Sequence, residues 1–419
     1  MKNTSYFDPF GRQLSCLVTI GMLAATSFFG VQTVTAAEWR LEPELRAGYE
    51  YDDNAVLIDI GGATAEIQGY ILEGSATIGY ATERTTFDVT PRLVSRNYDE
   101  EIFDSDDQFL TLDFNHRGLK SNFRIRGDYG RESVRTAERE VAELEVDDPD
   151  VIAGDDTGRV FEIGRRESFR IMPQWRYDFS EKSAFAARLS YTDVDYDDLF
   201  FVDSFTPYSD MRFNASLIRG FSARTRGYIK ASARSYEPDI VGVGSAVDVD
   251  GLAFNIGFER DLAQSTRLRA EVGVEETEPS GAESDSNAVW DINVVKKAET
   301  VTLLAQYRRS MNAAGAGRVT ARDSLNLSVN KQFFPERLNG GLAIWAYTTE
   351  RLSNDPGTID ERDYVQFRAQ LTYALSRTFS IQGDYRYTYI DRSATAGSDN
   401  SNSIIFWLIY RPTAMTTSR

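Results

Sequence analysis

The sequence predicts an all-β fold. The expected architecture is a closed, antiparallel, up-and-down transmembrane β-barrel of about 18 strands, with about 16 as the alternative count. Three observations carry this. Apolar residues recur at every second position in run after run, the period of a strand with one apolar and one polar face. The segments between the runs alternate between long and short. Beyond the first 37 residues no stretch approaches 18 consecutive apolar residues, so a helical membrane crossing is excluded.

Taken in order, the chain opens on a secretory address. Lys2 and Arg12 precede an apolar run from Leu14 to Val31, and Val34–Ala36 or Thr35–Ala37 supplies small residues for cleavage. Residues 1–37 read as a signal peptide. Cys16 falls inside it and Gln13 does not suit a lipoprotein box, so the mature chain carries no cysteine and no disulfide framework.

The first strand then alternates Trp39, Leu41, Pro43, Leu45, Ala47, Tyr49, Tyr51 with Arg40, Glu42, Glu44, Arg46, Gly48, Glu50. Further apolar rows are Tyr70–Tyr80, Phe87–Leu93, Leu110–Phe114, Phe123–Tyr129 and Phe169–Tyr177. Later ones run over Leu252–Phe258, Val365–Tyr373 and Phe379–Tyr387. Alternation is poor at Ala305–Leu327 and Gly341–Tyr347. Nine long connections, among them 52–67, 132–166, 311–319 and 351–362, interleave with eight short ones. Long loops on one side and short turns on the other describe an outer-membrane barrel spanning 38–412, with 413–419 as a short tail.

Lipid explains the pattern. Hydrocarbon offers no hydrogen-bond partners, so spanning strands must close into a ring with an apolar outer row. Aromatic residues near strand ends suit the headgroup boundary. The localisation expected is the cell outer membrane, with N- and C-termini periplasmic and loops bearing Asp104, Asp147, Asp195, Asp239, Glu283, Asp355 and Asp399 outside.

Several motifs resemble the β-barrel porin family often encoded in exopolysaccharide gene clusters of Gram-negative bacteria. These are Trp39-x-Leu41-x-Pro43-x-Leu45 with Tyr49–Asn54, the repeated Val89–Leu93 and Ile171–Trp175 pattern around a proline, and the ending Asn402–Pro412. The resemblance implies an outer-membrane barrel presumed to aid polysaccharide export or to act as a porin. It implies no established catalytic residues. Pro43, Pro91 and Pro173 sit uneasily in strand interiors, because proline removes a ladder donor. Either Trp407 or Tyr410 is expected to stand in for the terminal aromatic of porins.

Composition narrows the chemistry. A formal charge of −18 excludes nucleic acid as a partner. The single histidine, His116, lies at the short-turn rim and reads as structural, and no nucleophile elbow or His-containing metal motif appears, so no enzyme and no cofactor are expected. The acidic stretches 143–156 and 193–198 read as solvated loops. The function expected is a porin-like conduit for an exopolysaccharide or anionic solutes. The alternative is a structural or adhesive outer-membrane scaffold for surface matrix. Expected partners are outer-membrane lipid, lipopolysaccharide and the barrel-assembly machinery, with polysaccharide or small anionic solutes in the lumen. The candidate pore-lining residues are Arg40, Arg46, Arg92, Arg124, Arg126, Arg170, Arg176, Arg212, Lys230, Arg234, Arg267, Arg269 and Arg386, all opposite apolar rows.

Overall fold

The computed structural model describes residues 37–57, 65–139, 164–198, 205–239, 247–281, 283–314, 317–334, 337–350, 361–392 and 397–418. The expected signal segment and the acidic stretch 143–156 lie outside the described residues. So do Asp147 and Asp355.

Eighteen long strands form one ring. They are β1 (Glu38–Asp52), β2 (Ile67–Ala81), β3 (Thr85–Tyr98), β4 (Ser105–Arg117), β5 (Ser121–Ser133) and β6 (Arg165–Ser180). β7 (Ser183–Asp197), β8 (Tyr208–Ser222), β9 (Thr225–Pro238), β10 (Val249–Ala263), β11 (Thr266–Pro279) and β12 (Asp285–Lys297) follow. The last six are β13 (Val301–Ala314), β14 (Arg318–Phe334), β15 (Leu338–Glu350), β16 (Arg362–Ala374), β17 (Phe379–Arg392) and β18 (Gly397–Tyr410). Each pairs antiparallel with its neighbours, and β18 returns to β1 from Leu45↔Tyr410 to Asp52↔Ser403. The ring therefore has no free edge. A four-residue strand, β19 (Met415–Ser418), pairs with Glu38–Leu41, the part of β1 that β18 leaves uncovered.

The uneasy prolines all sit at interruptions. Pro43 falls between the β18 and β19 registers, where Glu42–Glu44 have no partner on that side. Pro91 falls in a gap of the β2–β3 ladder, between Ser75↔Arg92 and Ile78↔Val89, with the register unchanged across it. Pro173 falls in a gap of the β6–β7 ladder, between Ile171↔Tyr191 and Gln174↔Arg188. Each proline keeps its pairing on the other side, with Ala76, Leu110 and Ile125. A missing donor costs nothing where no ladder bond is made. In the β2–β3 gap the hydroxyls of Thr77 and Thr90 bond each other at 2.9 Å.

The outer face is apolar, as the alternation requires. Tyr70, Leu72, Leu93, Leu252, Phe254, Ile256 and Phe406 are all exposed. Aromatic pairs mark its short-turn boundary, including Trp39 with Tyr80 at 4.9 Å and Phe379 with Tyr410 at 4.9 Å. Tyr410 thus takes the girdle position. Trp407 has the opposite parity and lies over Gly48, where a Cβ would meet its ring at 2.6 Å. This close approach explains a glycine within the ionic row of β1. His116, exposed at the short-turn rim, meets the Thr85 hydroxyl through Nδ1 at 2.9 Å.

The two ends of the barrel differ. Burial concentrates at the long-loop end, in three apolar clusters inside the ring. One joins Val134, Tyr196, Tyr208, Tyr236, Met311 and Val319. A second joins Leu57, Trp345, Tyr347, Tyr364 and Ile390, and a third Ala55, Ile67 and Tyr98. Part of the segment expected as loop 132–166 runs inward. Its short helix α1 (Val134–Arg139) is buried at every residue. Arg139 pairs with Asp52 and donates to Ser401 Oγ at 2.8 Å, while its carbonyl accepts from Gln366 Nε2 at 3.1 Å. These contacts join α1 to β1, β16 and β18.

The region expected as a long loop at 311–319 is largely strand. β12 pairs with β13 only from Trp290↔Arg309 to Lys297↔Thr302, and β14 meets β15 only from Ala321 onward. The distal part of the β13–β14 hairpin therefore pairs only with itself, out to Ala314↔Arg318. Both of its faces are buried, with Met311 and Val319 on one and Asn312 and Thr320 on the other. A hairpin with two covered faces has no polar side to alternate with. That is why period two fades in this stretch.

Candidate functional site

A cavity of about 510 Å³ lies against the inner wall from β5 to β13. Strand pleating puts its polar lining opposite the lipid-facing row, since successive side chains alternate faces. Nine arginines and Lys230 line it, against Glu259, Glu271, Glu275 and Asp291. This wall is cationic although the chain as a whole is strongly acidic.

The acids are shared hubs. Glu271 receives the Lys230 ammonium, Tyr228 Oη at 2.9 Å and Asn255 Nδ2 at 2.7 Å, with Arg269 Nη2 at 3.6 Å. Arg269 also donates from Nε to Tyr228 Oη at 3.0 Å. Asp291 accepts from Arg308 Nε at 2.9 Å and from Gln306 at 3.1 Å. Near the long-loop end Asp210 takes Arg212 Nε at 3.1 Å and Arg234 Nε at 2.6 Å. Both of those arginines reach past Asp210. Arg212 Nη2 donates to the Met311 carbonyl at 3.2 Å, and Arg234 Nη1 donates to the same oxygen at 3.0 Å. The inward-turned β13–β14 hairpin is thus fastened to β8 and β9.

Of the predicted lining residues, Arg124, Arg176, Arg212, Lys230, Arg234 and Arg269 meet at this cavity. Arg176 and Arg267 line a second one of about 220 Å³ at the short-turn end, and Arg92 a third of about 290 Å³, stacked over Phe109 at 4.1 Å. Arg40, Arg46, Arg126, Arg170 and Arg386 border none of the three. Arg40 pairs with Asp88 at 2.8 Å, Arg46 with Glu44 at 2.5 Å and Arg126 with Asp128 at 3.0 Å. Arg170 donates to the Thr192 hydroxyl at 3.1 Å, and Arg386 is half-buried opposite Arg368. Sequence reasoning missed Arg226 and Tyr228. They share the parity of Lys230, so placing β9 in register would have found them. Tyr228 was hidden by the expectation that aromatic residues face lipid. Among the described residues no group of three or more potential metal ligands comes together.

No family model matches the sequence, and no curated protein matches it. Solved structures similar in chain path include Acinetobacter baumannii OccAB4 (TM-score 0.47, 12% identity, covering 92% of this chain and 99% of that one). Pseudomonas aeruginosa OccK5 (OpdH) is another (0.46, 10%, 90% and 98%), as is P. aeruginosa OpdO (0.47, 11%, 90% and 97%).

Proposed function

We propose that this protein is a passive conduit of the outer membrane, bathed in lipid and lipopolysaccharide, with a lumen that favours small anionic solutes. One observation carries the reading: the cavity wall from β5 to β13 holds far more cationic than anionic side chains. Fixed positive charge in a narrow polar passage lowers the electrostatic cost of an anion and raises that of a cation. Eighteen strands give a ring wide enough for an aqueous lumen. β1 begins and β18 finishes at the short-turn end, which this reading assigns to the periplasm. Export of an exopolysaccharide is the finer expectation raised by the resemblance. The buried clusters and α1 at the long-loop end favour a small solute over a polymer.

Arg124 and Arg176 also pair with Asp113 at 2.5 Å and Asp178 at 3.0 Å, so a purely bracing role competes with selectivity. Charge reversal separates the two. Replacing Arg124 and Arg176 by glutamate is expected to move the reversal potential in a salt gradient towards cation preference, with the barrel still folded. A folded variant with an unaltered reversal potential would remove the selectivity role. A folded wild-type barrel that never conducts would favour the scaffold reading.

A further inference from the structure

We propose that Arg212 and Arg234 form an oxyanion-binding site that the Met311 carbonyl occupies at rest, and that an entering oxyanion displaces the β13–β14 hairpin. This deepens the conduit reading and rests on it for its physiological sense, but its test does not need conduction.

Four observations carry it. Two guanidinium groups converge on one neutral carbonyl oxygen, at 3.2 and 3.0 Å. Asp210 lies between them and accepts from both Nε atoms, so one carboxylate is shared by two guanidinium groups. Arg234 borders the cavity and its side chain is only 4% exposed, yet its Nη2 has no hydrogen-bond partner. A buried donor left unmade is costly, and an added acceptor would relieve that cost. The carbonyl belongs to a stretch of β13 that β12 leaves unpaired, since that ladder begins at Trp290↔Arg309, and on the other side only Ala321, the partner of Met311, still meets β15 through Glu350.

The competition has a predictable sign. Bonds from guanidinium to an oxyanion are about twice as strong as those to a neutral acceptor. An arginine fork also matches the two oxygens of a carboxylate or a phosphate. An oxyanion reaching the cavity therefore outcompetes the Met311 carbonyl. The distal hairpin then keeps its apolar packing in the cluster with Tyr208, Tyr236 and Val249 and the bond from Val247 N to the Gly317 carbonyl at 3.4 Å.

Cys16 is the one cysteine of the sequence, so a barrel refolded from Glu38 onward has none and Met311→Cys can be labelled cleanly in it with a water-soluble maleimide. Met311 is fully buried, so labelling in chloride should be slow. Acetate or inorganic phosphate at equal ionic strength should accelerate it about tenfold, the order expected when charge-assisted bonds replace neutral ones. Response to acetate alone identifies a carboxylate site, and response to phosphate alone a phosphate site. Adding Arg234→Gln with Asp210→Asn, which keeps the local charge balanced, should abolish the response. Labelling indifferent to both anions, in a barrel whose folding is verified by its heat-modifiable mobility, overturns the proposal. So does an undiminished response in the double variant. A positive labelling result with no channel current would retain the site and refute the conduit.

Discussion

At the scale of single residues, burial decides which charges matter. Asp52 is fully buried at the long-loop end of β1 and takes Arg139, the Ser401 hydroxyl at 2.7 Å and the Asn54 amide at 3.0 Å. Arg40 and Asp88 also pair, at 2.8 Å, but their side chains are 42% and 33% exposed. An exposed pair contributes at most about 1 kcal/mol, whereas breaking a buried one strands a charge and costs about 3–5 kcal/mol. Asp52→Ala should therefore destabilise the barrel by about 3 kcal/mol in urea unfolding from detergent micelles. Asp88→Ala should shift the same curve by less than about 1 kcal/mol. Equal shifts would contradict the assignment of α1 to a buried latch.

At the scale of elements, the prolines set the clearest test. Their strands carry them because the ladder is already interrupted on the donor side. Pro91→Ala restores an N–H that has no partner in the β2–β3 gap, so stability should change by less than about 1 kcal/mol. Leu93 has the same parity two residues on, but it is paired with Gly74. Leu93→Pro removes a made bond and should cost about 3 kcal/mol. Denaturant midpoints of the two variants check this directly, and comparable losses would sink the gap explanation. The turns follow a related rule. Register shifts at Asp178/Ser180, Gly220/Ser222, Asp261/Ala263 and Gln332/Phe334 all precede short turns. A bulge there adds the local twist that a tight connection needs.

At the scale of the whole molecule, one ring must satisfy two solvents. Phe254 is 60% exposed on the outer face, and its chain neighbour Asn255 is buried inside. Phe254→Arg should cost about 2–4 kcal/mol in folding into lipid vesicles, because a lipid-facing charge near mid-membrane is expensive. The same variant in detergent should lose less, since micelles deform around the charge. A cost identical in both media would argue that Phe254 does not meet hydrocarbon. Ring closure also accounts for the asymmetry of the ends. Short turns leave little chain to cover one end, while at the other α1 and the distal β13–β14 hairpin pack inward.

The wall of this barrel was legible in the sequence because lipid imposes a local rule. Each outward residue must be apolar whatever its distant neighbours are, so strand number, register parity and the inner arginine rows all appear as period two. Tyr228, Trp407 and the β13–β14 hairpin escaped that rule because their surroundings are made by other strands. Tyr228 faces inward because Glu271 and Arg269 are there to meet its hydroxyl. Trp407 faces inward because Gly48 leaves room. The hairpin turns in where Arg212 and Arg234, on β8 and β9, hold its carbonyl. The sequence by itself determined which residues meet lipid, since that is a contact with a uniform solvent. Only the tertiary structure decided what fills the lumen, since those contacts join residues far apart in the chain and no periodicity encodes them.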